Sequence, residues 1–456
     1  MQIFSARTLV ENTWKKDVLI DVGTTGLIEC IEIGKIPPQN AIKVDSLLPA
    51  VANLHSHAFQ RAMAGMTEYR AKSQDSFWTW RTLMYRFLDQ LTPEHIEAIA
   101  GQVFMEMLEA GYASVGEFHY VHHQSGGAHY ESQTELSDRI LAAARETGIG
   151  LTHLPVLYTY GGAGQQALVG GQSRFGHSVD QFANLMQGLQ SKISESNPDT
   201  VLGIAPHSLR ATAPDELDSV TAAFGDGPVH IHISEQPKEV EDILDWLGAR
   251  PVEWLLEKQN VSSNWCLIHA THMTSEETVG LATSGAVAGL CPITESNLGD
   301  GIFNGTEFLA AGGTFGVGSD SNIRISLSEE LRTLEYSQRL RDISRNLLVH
   351  GEGSVGHALY AGAARGGAQA IGRNAGTIAV GMLADFTAID TNHAYLCSLA
   401  EHQLIDGFCF AADATVVTDV WSAGRHVVQS GRHINRDAIL NRFRAAISDL
   451  KSKIND

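Results

Sequence analysis

Basic residues are scarce. Only 32 Lys and Arg stand against 52 Asp and Glu, a formal net charge of −20. A field of that sign repels polyanions, so neither nucleic acid nor an anionic membrane surface is expected as a partner. Cysteine is scarce too. Five thiols, at 30, 266, 291, 397 and 409, form no C-x-x-C, and Cys266 and Cys291 sit inside apolar runs. This usage speaks against a disulfide scaffold and for a reducing compartment, with those two as small core residues. No apolar run reaches membrane-spanning length. The opening MQIFSARTLV lacks the basic start and apolar stretch of a secretory leader. A soluble, cytoplasmic protein is expected. Charged residues are only 18% and form no long run, which argues against disorder.

What is present is enough for a large core. With 456 residues, 43% of them hydrophobic, the chain suits a large barrel plus a smaller unit. The first 48 residues or so read as short strands and turns. Residues 376–390 and 415–434 read the same way, so both chain ends are expected to share one composite β-sandwich domain (1–48 with 375–456). The middle, 49–374, alternates short β-type runs with helical patterns. Eight such runs stand out: 50–55, 113–119, 150–158, 201–207, 229–234, 265–269, 286–292 and 314–320. Amphipathic helices lie between most of them, such as 237–249. This rhythm predicts an α/β fold, a TIM-like (β/α)8 barrel. Nearly every run ends in His, Asp or Ser, and in such barrels the strand C-termini carry the active site. The Gly-rich stretch 159–178 reads as a loop, either a cover over that site or a surface excursion.

His55 and His57 form H-x-H at the end of the first run, and strand alternation puts both on one face. Twenty histidines make one H-x-H unremarkable by itself. His232 ends the fifth run and Asp320 the eighth; Asp320 alone reads equally as a turn residue in SDSN. Taken together, three imidazoles and one carboxylate suit a divalent ion with an open position, Zn²⁺ first and Fe²⁺ as the alternative. His230 reads as a neighbour. His119, His122, His123 and His153 are candidates by type without an assigned role. Glu235, in H-I-S-E, and His269, at the end of the sixth run, are placed to move protons to and from a water at such an ion. Glu235 also reads as a first-turn helix carboxylate.

These segments together resemble the amidohydrolase superfamily in its deaminase branch: LPAVANLHSHAFQRAMAG, the H-x-x-E after the fifth run, IHATHMT, LCPITESNLGDG, GVGSDSN and the terminal GTIAVGMLADFTAID. NLHSHAFQRAMAGMTE followed by FWTWRTLMY narrows the resemblance to members that deiminate a small formimino diacid. The resemblance implies His55, His57, His232 and Asp320 as metal ligands and Glu235 and His269, with Asp320, as the proton-transfer groups. It implies Gln60, Arg81, Tyr120, His207 and Arg210 as substrate contacts. Two-metal members carry a bridging Lys or Glu on the fourth strand; VLGIAPH has neither, so one metal is expected. The implied substrate is a small anionic molecule with an amidine and two carboxylates, which a chain of this net charge can hold only through local arginines. A ring deaminase with the same metal set, a hydrolase releasing formamide instead of ammonia, and a catalytically silent binding barrel are the rival readings. A homodimer is the base-rate expectation.

Overall fold

The computed structural model describes residues 1–68 and 84–455. Arg81 and the FWTW segment at 77–80 lie outside the described residues. Each of the eight expected runs carries a strand. They are β5 (Val51–Ser56), β6 (Tyr112–His119), β7 (Gly150–Leu157), the interrupted pair β8 (Val201–Leu202) and β9 (Ala205–Pro206), β10 (Val229–Ile233), β11 (Trp265–His269), β12 (Val287–Leu290) and β13 (Thr314–Val317). Pairing is parallel throughout, in two sheets ordered β5-β6-β7-β8 and β10-β11-β12-β13, with β9 on β7. Parallel bridges Ile204↔Val229 and Ser56↔Asp320 join the sheets at both seams. At the second seam the Asp320 N–H donates to the His55 carbonyl (3.0 Å) and the His57 N–H to the Asp320 carbonyl (2.9 Å).

That seam depends on a residue without a side chain. A Cβ on Gly318 would sit 2.7 Å from the His55 carbonyl oxygen, so only glycine lets the two strands approach here. Beside it, Asn53 and Ser319 exchange hydrogen bonds of 2.7 and 3.0 Å. Strands β5, β6, β7, β10 and β11 are buried along their whole lengths, as parallel strands covered by helices must be. Cys266 and Cys291 pack with Ala52, Leu54, Ile268, Val287, Ala370 and Ile371. All five cysteines are free.

The chain ends meet in one mixed sheet. Its order is β17-β16-β15-β14-β4-β1-β2-β3, with β1 Gln2–Val10, β2 Thr13–Val22, β3 Ile28–Ile33, β4 Ile42–Pro49, β14 Phe386–Ile389, β15 Val417–Ser422, β16 Arg425–Gln429 and β17 Arg432–His433. Ile3, Val18, Ile20, Leu47, Phe386 and Trp421 form its core. Two details depart from the sequence reading. Residues 376–385 make turns and isolated bridges, with Gly376 and Gly381 at positive φ, and only 386–389 is strand. The chain then finishes in a helix, Arg436–Asn455, which packs on the helix Pro93–Glu109. No helix among the described residues is long and apolar enough to cross a membrane.

The 159–178 stretch is tied down. The Thr159 and Tyr160 N–H groups donate to the Ala211 carbonyl (2.9 and 3.0 Å). Arg174, fully buried, donates to backbone carbonyls of His123 (2.8 Å), Leu91 (3.2 Å) and Leu88.

Candidate metal centre and active site

Parallel strands bring their C-terminal ends to one face, and there the four expected ligands converge. His55 and His57 leave β5, His232 leaves β10, and Asp320 follows β13. Their ligand atoms all lie within 4.8 Å of one another, and all four residues are buried. His55 Nε2 is 3.1 Å from His232 Nε2 and 3.4 Å from Asp320 Oδ1; His57 Nε2 is 3.3 Å from the same oxygen.

The donor set fits a divalent cation. His57 Nδ1 faces the Phe118 carbonyl (3.0 Å) and His232 Nδ1 the His207 carbonyl (3.1 Å). A carbonyl only accepts, so both Nδ1 atoms carry the proton and both Nε2 lone pairs turn inward. Burial lowers the pKa of all three imidazoles, His55 to about 3, which keeps them neutral and able to ligate. Burial alone would raise Asp320, but its hydrogen bond to His55 and the surrounding imidazoles hold it well below the usual carboxylate range.

The backbone here is held in uncommon conformations. Ser234, His269, Ala270, Asp320 and Asn322 all have φ between 44° and 69°. Such residues cost on the order of 1–3 kcal/mol each and persist where the surroundings over-determine them. Asn322 supplies part of that constraint: its Nδ2 donates to Ser56 Oγ and to the carbonyls of His57 and Asp320, each at 3.1 Å.

Beside the ligands stand the two proton-transfer candidates. His269 Nε2 is 3.8 Å from Glu235 Oε1 and 4.0 Å from Asp320 Oδ2. Burial lowers the His269 pKa, but Glu235, the hydrogen bond to Glu295 and Asp320 outweigh it and push it up to about 10. A cation at the centre would oppose that rise. Glu235 is raised, chiefly by burial.

The pocket above is lined by His57, Gln60, Tyr120, His207, Arg210, His232, Glu235, His269 and Asp320. Four of the five expected substrate contacts are therefore at its wall, and the fifth, Arg81, lies outside the described residues. Gln60 Nε2 donates to the Tyr120 hydroxyl (2.7 Å). Arg210 lies 3.7 Å from Glu235 and 3.8 Å from Glu239. Met84, Tyr85, Tyr158, Phe175 and Leu298 complete the lining; apolar and aromatic residues carry no chemical label in a sequence, so these were not foreseen.

The other histidines lie elsewhere. His230 Nε2 donates to the Ala370 carbonyl (2.8 Å). His122 meets the Val156 carbonyl (3.1 Å), His153 meets Ser137 Oγ (2.9 Å), and His119 packs against His122 and His153. Sequence reasoning also missed four acids close to the site: Glu117, Glu239, Glu295 and Asp300, all buried. Glu295 and Asp300 were within reach, since LCPITESNLGDG was singled out without a role for either. Burial and the neighbouring Glu235 push Asp300 up to about 9.

The chain matches the model of the amidohydrolase family over residues 46–427, and it belongs to that family. A formimidoylglutamate deiminase of Pseudomonas aeruginosa is 47% identical over 454 residues, covering 98% of this chain and 99% of that protein. A 5-methylthioadenosine/S-adenosylhomocysteine deaminase of Shouchella clausii is 26% identical over 446 residues, covering 95% and 93%. The crystal structure of an amidohydrolase from Brucella melitensis has a TM-score of 0.94 at 48% identity, covering 98% of this chain and 99% of that one. An adenosine deaminase from Xanthomonas campestris, solved with bound zinc, has a TM-score of 0.82 at 19% identity over 99% and 98% of the chains, a likeness in fold alone.

Proposed function

We propose that this chain hydrolyses N-formimino-L-glutamate to N-formyl-L-glutamate and ammonia, a step of histidine degradation. The observation that carries the reading is the end-to-end identity of 47% with a formimidoylglutamate deiminase. The site geometry supports it. The parallel strands are read as a (β/α)8 barrel spanning 49–374, with 1–48 and 375–456 as a composite β-domain.

His55, His57, His232 and Asp320 would hold one divalent ion, taken as Zn²⁺ with Fe²⁺ as the alternative. When bound, such an ion lowers the pKa of a water and positions it. Asp320 and His269, whose Oδ2 and Nε2 are 4.0 Å apart, would take up a proton as the water oxygen bonds to the formimino carbon and its C=N double bond opens to a single bond. His269 then stabilises the charge that develops on the tetrahedral carbon's substituents. Glu235, 3.8 Å from His269, would relay protons to the departing nitrogen, so that its C–N bond breaks, ammonia leaves, and the added oxygen gives up its remaining proton to become the formyl carbonyl. Arg210 and Arg81 bind the two carboxylates, because a guanidinium fork matches a carboxylate. Gln60, Tyr120 and His207 add hydrogen bonds. The remaining parts of the reading are a cytoplasmic homodimer with a small anionic substrate and no nucleic-acid or membrane partner.

Product analysis tests the reaction. Protein loaded with metal and given N-formimino-L-glutamate should yield ammonia in a coupled assay and N-formyl-glutamate by mass spectrometry. Formamide and glutamate would overturn the bond assignment.

A further inference from the structure

We propose that Glu295 is the positioning residue of His269: its carboxylate holds the imidazole by Nδ1, so that Nε2 is the atom presented to Glu235 and Asp320. The inference rests on the reading of His269 as a proton-transfer group.

Glu295 lies in the short helix Pro292–Leu298 that follows β12. Its side chain is folded back on the start of that helix. Oε1 accepts the Cys291 N–H at 2.9 Å, and the Glu295 N–H donates to the Cys291 carbonyl at 2.9 Å. The carboxylate is thus fixed before it meets its second partner. That partner is His269 Nδ1, 3.3 Å from the same oxygen. Both side chains are almost wholly buried, 6% and 1% exposed, so water cannot substitute for either group.

The opposite edge of the ring faces the chemistry, with Nε2 at 3.8 Å from Glu235 and 4.0 Å from Asp320. An imidazole has two nitrogens and two ring orientations. A carboxylate accepts a hydrogen bond from Nδ1–H, which selects one tautomer and one orientation and leaves Nε2 to exchange protons. His269 needs such an anchor. It closes β11 at φ 69°, followed by Ala270 at φ 47°, so the chain turns away from the sheet at this residue. Strand pairing fixes its backbone, not its ring.

His269, Cys291 and Glu295 also form a trio whose ligand atoms lie within 4.8 Å, a second arrangement able to hold an ion. The commitment of Glu295 Oε1 to a backbone N–H favours the positioning role, and metal counting separates the two.

The test uses the full-length zinc-loaded protein with Glu295→Gln and Glu295→Leu. Gln keeps an acceptor oxygen and loses the charge; Leu removes both. The expected result is a kcat for N-formimino-L-glutamate lowered about 10- to 100-fold in Leu and less in Gln, with KM within about threefold and one metal per chain throughout. In ¹⁵N-histidine-labelled protein, with His269→Asn to assign the signal, the Nδ1-protonated ring of the parent should become a tautomer mixture in Leu. An unchanged kcat with an unchanged ring signal overturns the proposal, and Gln decides this if Leu does not fold. A metal count falling from two to one would assign the trio to an ion and also overturn it. If the parent does not turn over the substrate at all, the functional reading fails, while the ring signals still decide the role of Glu295.

Discussion

Replacing Glu235 with Gln removes a proton carrier and leaves the shape of the site. The carboxylate is 6% exposed and faces two partners, His269 Nε2 at 3.8 Å and Arg210 at 3.7 Å. Gln fills the same volume and neither packs nor ligates differently. Glu235 is also not one of the four expected metal ligands. The loss should therefore fall on the step that needs a mobile proton. General acid–base groups contribute about 10²- to 10⁴-fold, so kcat should fall by that factor, equivalent to about 3–5.5 kcal/mol of barrier. KM should change little, because the substrate carboxylates are assigned to Arg210 and Arg81. One metal per chain should remain. Steady-state ammonia release, with metal content measured on the same sample, checks both points. A kcat within tenfold of the parent would remove Glu235 from proton transfer. A loss of metal would show instead that it helps to build the centre.

His232→Ala should abolish metal retention, because it removes one of three imidazoles and the partner 3.1 Å from His55 Nε2; elemental analysis after gel filtration that still finds one ion per chain would contradict this. Leu54→Ala should lower unfolding stability by about 2–5 kcal/mol, since Leu54 is 0% exposed amid Ala52, Ile268 and Val287; a change below about 1 kcal/mol in urea unfolding would show that the site collapses freely. Asp199 receives a bidentate contact from Arg425, 2.7 Å to each oxygen, and Arg373 at 2.8 Å. Although burial opposes it, these arginines lower its pKa from 3.8 to about 2. A depressed carboxylate contributes stability that is present above its ordinary value and lost as pH falls through about 4 toward about 2, on the order of 2 kcal/mol here. Asp199→Asn should therefore flatten the loss of stability between about pH 4.5 and 3; an unaltered slope in urea unfolding would refute the assignment.

Much of the site was legible because its residues announce both chemistry and position. His55, His57, His232, His269 and Asp320 each follow an apolar run, and a parallel sheet sends such run ends to one face. Glu235 follows His232 by three residues and shares its destination. The residues that support them were harder to read. Glu295 acts across a gap of 26 residues on His269, and Glu239 lies on an amphipathic helix where an acid ordinarily faces solvent. Only the packing reveals that both are buried. Gly318 is one glycine among 44 until the seam it permits is seen. The terminal helix 436–455 was missed because the strands just before it set the expected pattern for the whole end.

The central claim is metal-dependent deimination of a formimino diacid, and one comparison tests it most directly. Ammonia release is measured from N-formimino-L-glutamate and from 5-methylthioadenosine, on chelator-stripped protein and after return of one equivalent of zinc. The account predicts turnover of the diacid alone, absent without metal and restored by one equivalent. Turnover of the adenosine compound without the diacid, or full activity in stripped protein, would contradict it.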